Sequence, residues 1–260
     1  MCRFKSGILL KDRVYISDGD SHSDMLEELG IKDTQQNAER VFVRAELYPE
    51  DGDVFSPIDQ WRWNVDQDIL PDWYVEEYEK QRFVEAVKKW AEQHIFIGQN
   101  GLRLTTGKSY YLKDCKNIEL SGDCFVTLLD NSQVGVMRNS SRVGVMWDSS
   151  QVGEMRDNSR VSEMRDNSQV SEMRGSSQVG VMRNSSRVGV MWDSSQVGEM
   201  RGSSQVGVMW VSSIASIALD YSDDISVSSI RLQDNAIVKD YRTKTIYQAG
   251  DWKLVSVDQG

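Results

Sequence analysis

The stretch DNSQVGVMR at residues 130–138 begins nine consecutive nine-residue units, and the last unit is GSSQVGVMW at residues 202–210. In every unit the third residue is Ser, the fifth is Val and the eighth is Met. Nine of the eleven methionines of the chain occupy the eighth position, which predicts core residues rather than metal ligands.

A helix does not fit this repeat. Nine residues make about two and a half helical turns, so the Val and Met positions would change sides in each successive unit. Disorder is the second alternative, because the segment is polar and of low complexity. However, Val and Met recur at fixed positions and give stacked units something to bury. The pattern therefore predicts a β-solenoid.

Alternation within a unit predicts which side chains point inward. Positions three, five and eight are expected inside, and positions four, seven and nine outside. The phase changes between positions five and eight, which predicts a corner at the Gly or Ser of position six. A second turn is expected at positions one and two. One unit is too short for a whole coil, so we expect two units per coil of about 18 residues, with coils ~4.8 Å apart.

Degenerate copies of the unit flank the regular ones and are expected to cap the solenoid. Upstream, Cys115 and Cys124 continue the frame, with Phe125 and Leu128 at apolar positions. Downstream, the frame continues through residues 211–219, and a strand pattern follows over residues 225–232. A final hairpin is predicted over residues 243–257. The downstream apolar and small positions are Ser213, Ala215, Ala218, Ile225, Val227, Ile230 and Leu232.

The predicted fold is mainly β: a small N-terminal α+β module over residues 1–110, a solenoid over 111–240 with regular repeats at 130–210, and a capping hairpin over 241–260. In the module we expect strands at 4–10, 13–17, 41–47 and 61–65, and a long amphipathic helix at 75–95. The four tryptophans of this region are expected in its core. They are Trp61, Trp63, Trp73 and Trp90.

Charge and cysteine content restrict the class of protein. The net charge is −10, but the repeats contain nine acidic residues and nine arginines, so the acidity belongs mainly to the N-terminal region. Three cysteines without framework spacing favour a reducing compartment. No stretch approaches the ~20 apolar residues of a membrane span, and we expect a cytoplasmic protein that does not contact a membrane.

Candidate catalytic residues are few. Asp20 and His22 follow a strand, as in some metal-dependent phosphatases, but the only other histidine is His94, inside the predicted helix. We therefore expect Asp20 or Ser21 to cap a helix, His22 to be solvated and His94 to be packed. The repeats lack the glycines and Asp of calcium-binding β-rolls, so neither metal ions nor other cofactors are predicted.

Several motifs of the chain resemble an uncharacterised family from gut bacteria and their phages, whose members carry an N-terminal module followed by short tandem repeats. The resemblance covers about residues 1–130 and the C-terminal tail, and it implies no activity. The repeats are also distantly similar to those of pentapeptide-repeat proteins, in which small or polar residues separate stacked hydrophobic residues, although the period of those repeats differs. The motifs are MCRFKSG at 1–7, DSHS at 20–23, EDGD at 50–53 and VDQDILPDWY at 65–74.

The outward positions suggest a binding surface. Position seven is Val or Glu, and position nine is Arg or Trp; every Glu precedes an Arg and every Trp follows a Val. An Arg and Trp ladder could bind a nucleic acid or a protein, but zero net charge favours arginines that pair with glutamates. The candidate partner-binding residues are Arg138, Trp147, Arg156, Arg165, Arg174, Arg183, Trp192, Arg201 and Trp210.

These observations favour a non-enzymatic binding or scaffold protein with a protein partner, and they make nucleic acid an improbable one. Two other hypotheses stay open. The acidic N-terminal module could act as an inhibitor or decoy of a host nucleic-acid enzyme, encoded by a phage or mobile element. A metal-dependent hydrolase with its site around Asp20 and His22 is the least favoured.

Overall fold

A computed structural model describes residues 4–219, 225–249 and 255–256. The chain divides into two compact units, Met1–Ile95 and Phe96–Gly260. No helix among the described residues is long and apolar enough to cross a membrane.

The N-terminal unit contains a four-stranded antiparallel sheet and three helices. The strand order is β2-β1-β3-β4, so β1 and β3 are the central strands. The elements are β1 (Lys5–Leu10), β2 (Val14–Tyr15), α1 (His22–Glu28), α2 (Gln35–Ala38), β3 (Phe42–Tyr48), a 3-10 turn (Ile58–Gln60), β4 (Arg62–Val65) and α3 (Glu76–His94).

Helix α3 packs its apolar stripe against the sheet, as its periodicity predicts. Phe83 and Val87 are fully buried in a cluster with residues of β1 and β3. Trp61 is buried in the same cluster, Trp63 and Trp73 pack against it, and Trp90 is buried beside Phe4. The structure thus confirms that the four tryptophans belong to the core of this unit.

The environment of His22 differs from the prediction. Ser21 does cap α1, because its side chain accepts a hydrogen bond from the backbone N–H of Asp24. However, His22 is only 4 % exposed, with Nε2 at 3.2 Å from the carbonyl oxygen of Ala45. The prediction that His22 is solvated is therefore wrong. Helix α1 begins against strand β3, and the side chain of its first residue, His22, is enclosed there.

The second unit is a β-solenoid of about seven turns. Each regular unit forms one five-residue strand from its fourth to its eighth position, and these strands are β10 to β18. Their bounds are Gln133–Met137, Arg142–Met146, Gln151–Met155, Arg160–Met164, Gln169–Met173, Gln178–Met182, Arg187–Met191, Gln196–Met200 and Gln205–Met209. The preceding strands are β5 (Ile95–Ile97), β6 (Arg103–Leu104), β7 (Ser109–Lys113), β8 (Ile118–Leu120) and β9 (Phe125–Leu129).

Successive units alternate between two parallel sheets. Val134 pairs with Val152 and Met137 with Met155, so each strand pairs with the strand two units later. In sheet 1 the strands of the first, third, fifth, seventh and ninth units continue from β6 and β8, in the order β18-β16-β14-β12-β10-β8-β6. Sheet 2 contains β11, β13, β15 and β17 from the other units. The predicted N-terminal module extends to residue 110, but β6 and β7 already pair with strands of these sheets.

The fixed positions of the repeat form the core between the sheets. The nine Met side chains are fully buried, the Val at position five is at most 2 % exposed, and the Ser at position three is at most 1 % exposed. The sequence predicts a corner at position six, but the strand is not interrupted there. In the first unit the strand continues through Gly135, and the side-chain phase changes within it between buried Val134 and buried Met137.

Each unit turns at its first two positions. The first residue has a positive φ in every regular unit, for example 55° at Asp148 and 65° at Gly175. Asp, Asn and Gly adopt this conformation at the lowest cost, which explains their use at position one. The N–H of Ser150 donates to the carbonyl of Trp147 and closes the turn. Turns also bond from coil to coil, as Asn167 N–H does to the carbonyl of Asp148.

The upstream cap follows the frame with one correction. Cys115 and Cys124 are fully buried and occupy the place of the position-three Ser. Their carbonyls accept from the N–H groups of Gln133 and Arg142, as the Ser carbonyls do in later coils. We expected Phe125 to point inward, but it is 42 % exposed and pairs with Arg142, while Val126 is buried. The register between these strands shifts, which displaces the inward positions by one residue.

The downstream cap consists of β19 (Ile214–Ile217), a 3-10 turn (Val227–Ser229), β20 (Arg231–Leu232), β21 (Ile237–Asp240), β22 (Thr245–Gln248) and β23 (Val255–Ser256). Ser213 and Ala215 keep the inward frame, and the register shifts so that Ile217 takes the place of Met. Strand β22 pairs antiparallel with β21 and β23, which ends the parallel stack. Residues 250–254 and 257 of the predicted hairpin lie outside the described residues.

Candidate binding surface

The nine candidate residues at position nine form two columns rather than one. Each follows the end of its strand, and strands of alternate units belong to different sheets. The column of sheet 1 contains Arg138, Arg156, Arg174, Trp192 and Trp210. The column of sheet 2 contains Trp147, Arg165, Arg183 and Arg201.

Glutamates of position seven neutralise arginines of position nine. In all four Glu-containing units the carboxylate pairs with the Arg two residues on, at N–O distances of 2.6 to 2.8 Å. Arg174 also reaches back to Glu154 of the previous coil at 3.2 Å, and Arg183 reaches Glu163. These contacts match the alternative in which the arginines of the repeats pair with glutamates of the repeats.

The same contacts perturb the carboxylates. A hydrogen bond from Arg156 lowers the pKa of Glu154, and one from Arg165 lowers the pKa of Glu163, against a smaller opposing effect of desolvation. Both glutamates are therefore ionised at neutral pH. Their negative charges hold these guanidinium groups in ion pairs within the protein. The guanidinium groups are therefore not presented singly to phosphate.

The tryptophans do not share one environment. The rings of Trp192 and Trp210 stack with centroids 5.1 Å apart and planes at 9°. Next to them, Val190 and Val208 are paired neighbours on adjacent strands. All four side chains are partly exposed. We call these four residues the Trp–Val patch.

Trp147 lies in the other column and contacts an arginine instead. The guanidinium carbon of Arg165, from the next unit in the same sheet, lies 4.2 Å from the centroid of the Trp147 ring. This is a cation–π contact. The local sequence around Trp147 is identical to that around Trp192, because residues 132–156 and 177–201 are the same. The residues 18 positions before and after them differ: they are Leu129 and Arg165 for Trp147, and Arg174 and Trp210 for Trp192.

Sequence reasoning grouped the nine residues and did not separate the columns. The signal for the separation was present, since two units per coil place odd and even units in different sheets. Only the odd units carry two tryptophans in succession, at Trp192 and Trp210. Numbering the units by parity would have identified the Trp–Val patch.

The residues considered for catalysis belong to the N-terminal unit. Asp20 pairs with buried Lys5 at 2.9 Å, and His94 is packed against Trp90 with Nε2 at 2.9 Å from Asp18. His22 instead faces Asp66 of the loop after β4. Among the described residues, Asp20 and His22 thus contact different partners.

No protein family model, no curated protein and no solved structure matches the chain.

Proposed function

We propose that the chain is a non-enzymatic binding protein whose solenoid presents the Trp–Val patch to a protein partner. The observation that carries this proposal is the stacked pair of Trp192 and Trp210 beside two valines, in a column where Arg156 and Arg174 form ion pairs with glutamates. Partly exposed aromatic clusters are typical of the energetic centres of protein interfaces.

Several properties of the patch favour a protein over a nucleic acid or a sugar. Base and sugar rings bind on open aromatic faces, whereas Trp192 and Trp210 each cover one face of the other. In the same column, Arg156 and Arg174 are paired with glutamates, so these two guanidinium groups are not presented singly to phosphate. Stacking also restricts both rings before binding, which reduces the entropic cost of association.

Exchange of both stacked tryptophans tests the proposal. The variant Trp192→Ser with Trp210→Ser is compared with wild type and with Trp147→Ser in quantitative capture from a native lysate. Loss of the pair is expected to weaken capture of a specific protein at least about tenfold, since such anchors contribute about 2 kcal/mol or more. Trp147→Ser should capture as wild type does, because Trp147 lies in the other column.

The matched control makes the result specific, because Trp147 and Trp192 have the same sequence neighbours. Circular dichroism and thermal unfolding establish that each variant is folded. Equal capture by all three proteins would contradict the role of the patch. Recovery of a nucleic-acid enzyme by all three would instead assign recognition to the acidic N-terminal module, as the decoy hypothesis requires.

A further inference from the structure

Three side chains from separate elements of the N-terminal unit converge on one point. His22 is the first residue of α1, Glu46 lies in the central strand β3, and Asp66 follows β4. One potential ligand atom from each lies within 4.8 Å of the other two. His22 and Glu46 are buried at 4 % and 3 % exposure, whereas the Asp66 side chain is 55 % exposed. The cluster is therefore anchored inside and open on one side.

The orientation of the His22 ring is informative. Its Nε2 lies 3.2 Å from the carbonyl oxygen of Ala45, and only an N–H can form a hydrogen bond to a carbonyl. Nε2 therefore faces the backbone of β3, and Nδ1 faces Asp66 of the cluster. Metal-binding histidines are commonly held in this way, with the second nitrogen bonded to a backbone carbonyl.

The spacing of His22 and Asp66 fits two ligands of one ion. Nδ1 lies 3.5 Å from Oδ2 of Asp66, which is longer than the usual N–H···O distance of about 2.9–3.0 Å. Two donors bound at about 2.1 Å to a tetrahedral ion lie about 3.4 Å apart. The pair therefore has the separation that a shared cation requires.

The two carboxylates are held in place by the sheet. Nδ2 of Asn64, the β4 neighbour of Glu46, donates to Oε2 of Glu46 at 3.1 Å. The backbone N–H of Asp66 donates to the carbonyl of Arg44 at 2.9 Å. Two carboxylates are thus positioned near one imidazole by contacts within the sheet.

We infer that His22, Glu46 and Asp66 bind one divalent first-row transition-metal ion, of which Zn²⁺ is the probe used below. One nitrogen and two carboxylate oxygens suit such an ion, and three protein ligands leave a further position for water on the exposed Asp66 side. This inference concerns the N-terminal unit and does not depend on the proposed role of the Trp–Val patch.

Metal titration of the full chain tests the site. The chelator-treated protein is titrated with Zn²⁺ by calorimetry, and bound metal is measured by elemental analysis after dialysis. Wild type is expected to bind one ion per chain and to unfold at a higher temperature with Zn²⁺ than without it. Asp66→Asn is expected to lower the affinity at least about tenfold and to remove most of the thermal shift.

Asp68→Asn is the matched control, because Asp68 is an exposed aspartate of the same loop, two residues further on. It should bind as wild type does. His22→Ala and Glu46→Gln should also lose the ion, but they alter buried positions; exposed Asp66 therefore supplies the decisive variant. Absence of a bound ion in wild type would overturn the inference. Undiminished affinity in Asp66→Asn would overturn it as well.

Discussion

At the scale of the residue, the third position of each unit requires a small side chain. Ser occupies it in all regular units and is buried, and Cys115 and Cys124 take the same place upstream. Burial raises the pKa of the Cys124 thiol to about 11 and also raises that of Cys115, so both thiols stay protonated at neutral pH. A thiol can take the place of the hydroxyl here because both side chains are small.

Substitutions at Ser168 measure this size requirement. Its hydroxyl has no hydrogen-bond partner among the described residues, so Ser168→Ala is expected to change the free energy of unfolding by less than about 0.5 kcal/mol or to increase it. Ser168→Leu should lower it by about 1–3 kcal/mol, because the interior cannot accommodate the added volume. Chemical denaturation of both variants checks this. A large loss in Ser168→Ala would show that the hydroxyl itself is needed.

At the scale of the element, ion pairs connect neighbouring strands along each column. Glu154 and Glu172 are in register on adjacent strands, where like charges would repel. Arg174 pairs with both carboxylates and so offsets this repulsion. In sheet 2, Glu163 contacts Arg165 of its own unit and Arg183 of the next coil. The strands are thus linked by side chains as well as by backbone hydrogen bonds.

Glu163→Gln is expected to lower the free energy of unfolding by up to about 1 kcal/mol at neutral pH, since partly exposed ion pairs contribute little. The hydrogen bond from Arg165 lowers the pKa of Glu163 from its ordinary 4.5. This stabilisation is therefore complete above pH 4.5 and is lost as the pH falls through the lowered value.

Denaturation at neutral and acidic pH should show the difference between wild type and Glu163→Gln shrinking in acid. Glu172→Gln is the control, because the contact of Glu172 is with Arg174 of its own unit and its effect should be smaller. A difference that persists in acid would mean that Glu163 acts through packing rather than charge.

The sequence predicts the regular strands better than it predicts the caps or the N-terminal cluster. Inward Val and Met follow from strict periodicity, because every unit repeats one environment. At Phe125 the frame slips by one residue, and a single apolar neighbour, Val126, decides which side chain is buried. The contact of His22 with Asp66 depends on how α1 packs on the sheet, and no local pattern encodes such packing.

At the scale of the whole molecule, the two sheets are nearly interchangeable. Residues 132–156 recur unchanged as 177–201, five units later. Because five is odd, the two identical segments begin in different sheets: β10 lies in sheet 1 and β15 in sheet 2. One sequence therefore fits both sheets, and the core is built from the same Ser, Val and Met positions in each.

Deletions within the repeats test this equivalence. Removal of residues 157–174 takes out one coil, and removal of 157–165 takes out one unit and moves all later units to the opposite sheet. Both proteins are expected to fold, with lower stability because fewer neighbouring coils remain. Circular dichroism and cooperative thermal unfolding check this. A one-unit deletion that fails to fold while the one-coil deletion folds would show that the sheets are not equivalent.

The interchangeable sheets affect how such a chain can change over generations. Unequal recombination between identical repeats adds or removes whole units, and each unit brings its own strand, turn and core residues. Half a coil changes the stack by about 2.4 Å, half of the ~4.8 Å between neighbouring strands. An even number of units preserves the column in which Trp192 and Trp210 lie, whereas an odd number inserted before them transfers the pair to the column of Trp147. A change in the number of units before the Trp–Val patch therefore alters the length of the solenoid and, when that number is odd, also the sheet that carries the patch.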